Sequence, residues 1–252
     1  MKLFRVMTAS CPSFISKKSA LRPLVAAMVL GVWSVFGAAS TAWADGVNEA
    51  KKEVVKEVAI EQSAEHPPRF EQLTLEQLNV YQKPLGEQVM KVSSVGIGGP
   101  YNPLLRSPVM GQRMFDLLYY LRWNSSMPLR LNEFAILIIG RQWRSQVEWA
   151  AHAPLAIKAG LSPDVVADLK AQKRPAKMQP DEAVVYDMID ELTQTHKLSD
   201  ATYARAKALF TEQQLVDLSV VTGTYITLAL MMSMVEQGLP AGRELAFKAG
   251  EP

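Results

Sequence analysis

The chain has 252 residues, 27 of them basic and 25 acidic, with 48% hydrophobic composition and one cysteine. This near balance, with no concentrated Lys/Arg patch, excludes the basic surface that nucleic-acid binding requires. A single cysteine also excludes an intramolecular disulfide or any chemistry that needs a thiol pair.

Residues 1–44 read as a secretory leader. Lys2, Arg5, Lys17, Lys18 and Arg22 form its basic part, and "PLVAAMVLGVWSVFGAAS" is an apolar run too short and wrongly flanked for a membrane span. Ala42 and Ala44 place the expected cleavage between Ala44 and Asp45, with an uncleaved anchor as the alternative. Cys11 lies inside the leader, so the mature chain is expected to have no thiol chemistry at all. Removing 44 of 252 residues leaves 208, enough for one sizeable domain. Losing five of the 27 basic residues and none of the 25 acidic ones takes the net charge to −3. The expected location is periplasmic or secreted, with no membrane association after processing. Residues 45–69 are charged and poorly patterned and read as a tether passing into Pro67-Pro68; the folded domain is expected over residues 70–252.

From Phe70 onward the signals are helical almost everywhere. Thr74 with Gln77 predicts a capped helix over "TLEQLNVYQ". "SSVGIGGPYNPLLRSP" is rich in glycine and proline and predicts a loop. Pro108 opens "VMGQRMFDLLYYLRWN", with Met114, Leu117, Leu118 and Leu121 on one face. Asn132 is the expected cap of "EFAILIIGRQW", whose apolar run predicts burial on all sides. Ser145 is expected to cap "QVEWAAHAPLAIKA" and Gly160 to stop it, with Pro154 kinking it or ending its first half. Ser162-Pro163 opens a short helix to about Gln172, and Pro180 opens "DEAVVYDMIDELTQTH". Ser199 caps "DATYARAKALF", and Thr211 with Gln214 caps a long apolar helix ending before Gly238. No strand-like alternation is sustained, so the expected fold class is all-α. The run from Met114 to Trp143 is loosely echoed from Val185 to Tyr225, with "ITLALMMSMVEQGLP" standing where "VEWAAHAPLAIKAGLSP" stood. Either a duplication or the general likeness of bundle helices accounts for the echo.

The polar residues that stand out are Glu148 and His152. Four residues apart on a helix, they share one face and reach one another. An exposed helix pair is the ordinary reading of that spacing. The neighbours Trp149, Ala150, Ala151 and Ala153 offer no solvated charged stripe and point the other way. Glu133 opens an otherwise apolar helix; its ordinary role would be to complement the dipole of a first turn. If the two buried helices pack side by side, two carboxylates and an imidazole converge, the raw material of acid–base chemistry.

"GGPYNPLLRSP", "LRLNEFAILIIGRQWRSQVEWAAHAPLAIKAGLSP" and "DEAVVYDMIDEL" resemble the carboxymuconolactone decarboxylase family, whose superfamily includes the alkyl hydroperoxide reductase D-type (AhpD-like) peroxidases. The resemblance covers most of residues 70–242 and implies an all-helical bundle assembling into trimers or hexamers. It also implies that His152 and Glu133 fall on the histidine and proton-relay glutamate of the peroxidase motif. Ser145 and Glu148 occupy its two cysteine positions, so thiol peroxidase chemistry is excluded.

The resulting expectation is a cofactor-independent lyase or isomerase of the carboxymuconolactone decarboxylase type, acting on a small carboxylated lactone or organic acid. His152 is expected to transfer the proton, with Glu148 as its partner and Glu133 as a second acid or base. Arg141, Ser145 and Trp149 are the expected substrate contacts, with Arg144 an alternative anion holder. No metal and no cofactor is expected, because the ligand spacing lacks a third His or Cys. The alternative function is a non-catalytic periplasmic helical oligomer that binds a small ligand or partner.

Overall fold

The computed structural model describes residues 67–93, 96–239 and 244–248. The expected leader, its cleavage point and residues 45–66 of the tether lie outside them. Among the described residues the chain forms helices and no strands: α1 Lys83–Val92, α2 Tyr101–Leu104, α3 Pro108–Trp123, α4 Leu129–Gln142, α5 Gln146–Lys158, α6 Pro163–Lys170, α7 Pro180–Thr195, α8 Asp200–Leu209 and α9 Glu212–Met234. The all-α expectation holds.

Helix α4 is the axis of the bundle. Every residue from Leu131 to Arg141 is buried, and the helix packs against α5, α6, α7 and α9. A helix apolar on all sides must be surrounded, and this one is. Gly140 brings α5 close, because a Cβ there would lie only 3.4 Å from the Cβ of Glu148. Two polar clamps hold α4 in register. Arg130 pairs with Asp181 at 2.7 Å and with the buried Glu182 at the start of α7. Asn132 donates its side-chain amide to the Leu121 carbonyl at 3.1 Å, tying α4 to the end of α3.

Helix α9 buries Leu218, Val221, Thr222, Tyr225, Leu228, Ala229 and Met232, a spacing of three and four that makes one inward face. Its length and apolarity would suit a membrane span, yet half of its most apolar window lies inside the bundle, as in a core helix. Asp217 fixes its first turns by accepting from the Ser126 N–H at 2.8 Å, the Ser126 hydroxyl at 2.7 Å and the Tyr120 hydroxyl at 3.1 Å. Burial works against the charge of Asp217, but these donors outweigh it and hold the carboxyl below its usual range. At the other end of α9, the Arg69 N–H and guanidinium donate to the carbonyls of Val235 and Met234, each at 2.9 Å, and Arg69 pairs with Glu236. Arg69 is therefore tied to the end of α9.

Four sequence expectations are corrected. The helix predicted from Thr74 does not form: Gln77 accepts from the Thr74 N–H at 2.8 Å, but α1 starts only at Lys83. Asn79 intervenes by accepting from the N–H groups of Tyr81 and Gln82, and such local side-chain bonds compete with a helical ladder. The predicted loop around Tyr101 contains the short helix α2. Asn132 is not a cap: α4 begins one turn earlier, after Pro128, whose backbone is extended. Pro154 neither ends nor splits α5, which runs on to Lys158. Pro154 lies on the exposed side of that helix, where water can serve the carbonyl it leaves unpaired. The echo also breaks at its second half: α4 and α5 are separated by a turn in which Arg144 has φ +51°, whereas α9 is one uninterrupted helix.

Gly111 on α3 allows α2 to lie against it. A Cβ there would come within 2.5 Å of the Leu104 carbonyl oxygen and 2.9 Å of a Leu85 methyl. Gly111→Ala is expected to destabilise the fold by about 1–3 kcal/mol, the usual cost of overpacking, read as a lower urea midpoint. An unchanged midpoint would show that α2 yields freely.

Candidate functional site

The centre of the site is one hydrogen bond between two helices. The His152 Nδ1–H of α5 donates to Glu133 Oε2 of α4 at 2.6 Å, with both side chains buried. A carboxylate accepts and does not donate, so Glu133 fixes the ring proton on Nδ1 and leaves Nε2 as the unprotonated nitrogen. Because α4 starts at Leu129, Glu133 lies beyond the first turn, and dipole complementarity does not account for it.

Two further groups face Nε2. Glu148 Oε2, one turn back on α5, lies 3.5 Å away. The Tyr225 hydroxyl, from the inner face of α9, lies 3.3 Å away, with its ring perpendicular to the imidazole and 5.2 Å distant. Both residues are buried. The Ser145 hydroxyl caps α5 by accepting from the Glu148 N–H at 3.4 Å, which sets the turn that delivers Glu148.

The electrostatics follow from burial and from the charges present. Burial pushes the Glu148 carboxyl above its usual range; the charges of His152 and Arg122 draw it back, and Glu133 pushes it up again. Burial, aided by the charge of Glu148, holds the Tyr225 phenol far above its ordinary value, so it is a hydrogen-bond donor. Tyr101 on α2 is also raised by burial, while Arg122 at the end of α3 lowers it through its charge and a hydrogen bond. Arg122 is half-buried and also stacks over Trp123, 4.8 Å from the ring centre.

Glu133, Glu148 and His152 thus come together in the interior. The expected substrate contacts do not join them in the same way. Arg141 donates from Nε to the Lys170 carbonyl at 2.9 Å and stacks 4.6 Å from the Phe247 ring centre. Trp149 is buried edge-on against the same Phe247, 5.1 Å between centres. Arg144 donates to the Lys248 carbonyl at 2.9 Å. These residues hold the C-terminal segment onto α5, helped by Gln146, which donates to the Phe247 carbonyl at 2.7 Å and accepts from the Ala246 N–H at 2.8 Å. Ser145 serves as a cap.

Tyr225, Tyr101 and Arg122 are site neighbours that the sequence reading missed. Tyr225 carried a faint signal, as the one phenol in an uncharged run from Leu218 to Met234. Arg122 had none, because a cation near a helix C-terminus is ordinary dipole complementation.

Glu148 holds its proton more tightly folded than unfolded, so protonation favours folding. As pH rises through the ordinary carboxyl value of 4.5, the contribution of Glu148 to stability therefore falls away progressively. Glu148→Gln cannot titrate, while His152, Glu133, Arg122, Tyr101 and Tyr225 remain around it. Its melting temperature relative to wild type is expected to climb as pH rises above 4.5. A difference that is flat or shrinks with pH would contradict the raised carboxyl.

No protein-family model and no curated protein matches the chain. Among solved structures it resembles the alkylhydroperoxidase AhpD core of an uncharacterized peroxidase-related protein from Ralstonia eutropha JMP134. The TM-score is 0.60 at 14% sequence identity, over 70% of this chain and 95% of that one. At that identity the likeness is one of architecture, and the bundle that carries the Glu133–His152 pair is an AhpD-like all-α fold.

Proposed function

We propose that this chain is an exported, cofactor-independent lyase or isomerase of the carboxymuconolactone decarboxylase type, acting on a small carboxylated lactone or organic acid. The observation that carries this reading is the burial of a cluster of two carboxyl groups and an imidazole, contributed by two helices, in the centre of the fold. Buried charges are costly, and a merely structural core would be served as well by apolar side chains. The cluster supplies its own proton donor and acceptor. No cysteine follows Cys11 in the sequence, so the peroxidase-related protein that shares the fold is not a guide to thiol chemistry here. Arg122 replaces Arg141 as the cation suited to an anionic substrate, because its charge is felt at Glu148, Tyr101 and Tyr225. Export rests on the leader pattern of residues 1–44.

The test is incubation of the chain with mixtures of small organic acids and lactones, followed by mass spectrometry for loss of CO2 or water, or for an isomer. Wild type is expected to convert a component that His152→Ala leaves untouched. Equal conversion by both would remove His152 from the reaction.

A second reading, a non-catalytic oligomer binding a small ligand or partner, draws on the outer face of α9. Val216, Val220, Leu230 and Met234 are exposed there, with no charged residue from Leu218 to Met234. An uncharged exposed stripe of this length suits a contact between copies of the chain. Sedimentation velocity is expected to show a trimer or hexamer that Leu230→Glu dissociates; a monomeric wild type would sink that part of the reading. Oligomerisation without turnover would favour this second reading over the first.

A further inference from the structure

Counting the hydrogen-bonding capacity of the buried cluster points to one atom. His152 has two ring nitrogens. Nδ1 is committed to Glu133 at 2.6 Å, and Nε2, with its single lone pair, is faced by both the Tyr225 hydroxyl and Glu148 Oε2. No nitrogen of the imidazole is left to meet a substrate. Glu148 differs: Oε2 faces the ring, while Oε1 is buried and has no hydrogen-bond partner. A buried carboxyl oxygen left unsatisfied costs about 1–3 kcal/mol, and a catalytic role is one of the reasons for which native proteins keep such an atom. Glu148 is only 4% exposed, so bulk water does not supply it.

We infer that Glu148 Oε1, and not an imidazole nitrogen, exchanges the proton with substrate, and that Tyr225 is a positioning residue that keeps His152 Nε2 turned away from substrate. The inference rests on the acid–base reading above and names the reacting atom within it. In the resting site the Glu148 proton sits on Oε2, facing Nε2. The substrate's acidic C–H or O–H bond breaks, its electron pair stays on the substrate, and its proton forms a bond to Glu148 Oε1. The Oε2–H bond breaks in the same motion and that proton passes to the Nε2 lone pair, while the Tyr225 hydroxyl turns its own proton away from it. Glu148 remains neutral throughout; the site has gained one proton, held as imidazolium beside the Glu133 carboxylate. Return of the proton from Oε1 to a second atom of the substrate, with Nε2 giving its own back to Oε2, completes a proton shift. No oxidant, reductant or co-reactant is consumed. The substrate class is accordingly a small molecule with a proton acidified by a neighbouring carbonyl, lactone or carboxyl group.

Tyr225 contributes by geometry. Its ring stands at 90° to the imidazole, and its hydroxyl covers Nε2 from the α9 side. Removing that hydroxyl uncovers a nitrogen without disturbing the bond between Nδ1 and Glu133.

The experiment is alkylation of the full chain with glycidol, a small neutral epoxide, followed by peptide mapping. An attacking oxygen or nitrogen opens the ring and the epoxide oxygen takes up a proton, leaving a stable adduct at the reacting residue. The expected result is a single 2,3-dihydroxypropyl ester on Glu148 in wild type, lost in Glu148→Gln. In Tyr225→Phe an adduct is expected to appear on His152, a change of target that a purely structural role for the tyrosine would not produce. An adduct on His152 in wild type would overturn the assignment of Oε1 while leaving an open acid–base site. Adducts on neither residue would overturn the assignment together with the functional reading beneath it. An unchanged target in Tyr225→Phe would remove the tyrosine from its role.

Discussion

The close packing of α4 on α5 is the constraint that the remainder of the structure serves. Gly140 permits the approach, and the Glu133–His152 hydrogen bond spans the interface it creates. A charge-assisted bond of this kind contributes about 1.5–3 kcal/mol when both partners are present. Losing one partner costs more, because the other is left charged or unsatisfied in the interior. Arg130 with Asp181 and Glu182, Asn132 with Leu121, and Asp217 with the turn around Ser126 fix the helices that surround this pair. The shell holds the centre to a geometry in which a ring, two carboxyls and a phenol lie within a few ångströms.

Much of this was legible in the sequence, for reasons that belong to local chemistry. Ser145, Ser162, Ser199 and Thr211 all cap the helices they were expected to cap, because a cap depends only on a side chain and the next three residues. The spacing of Glu148 and His152 is fixed by the pitch of a helix, so their shared face could be read directly. The convergence of Glu133 with them needed only that two adjacent apolar helices pack together.

What could not be read was set by tertiary context. Asn132 has the identity of a cap but is taken by the Leu121 carbonyl, and Pro128 assumes the position one turn earlier. Arg141 was placed in the site because it is near in sequence, yet on α4 it belongs to the face that meets Lys170 and Phe247. Phe247 lies about a hundred residues further on and carries no local sign of where it docks. Tyr225 reaches His152 only because α9 runs without a break beside α4. These are long-range facts, and sequence spacing is blind to them. The departure of α9 from the α4–α5 pattern has a consequence for the chemistry: one side of the core carries the ionisable groups and the other the phenol that faces them.

The central claim, a histidine held in the interior by Glu133 with its ring proton on Nδ1, is open to direct measurement. Nitrogen NMR of the chain labelled at its histidines reads the tautomer and the exchange of the ring proton of His152, assigned by comparison with His152→Ala. The account predicts a proton on Nδ1 that exchanges slowly with water, an unprotonated Nε2, and loss of both features in Glu133→Gln. A ring protonated on Nε2 instead, or one whose proton exchanges as quickly as that of free imidazole, would contradict it.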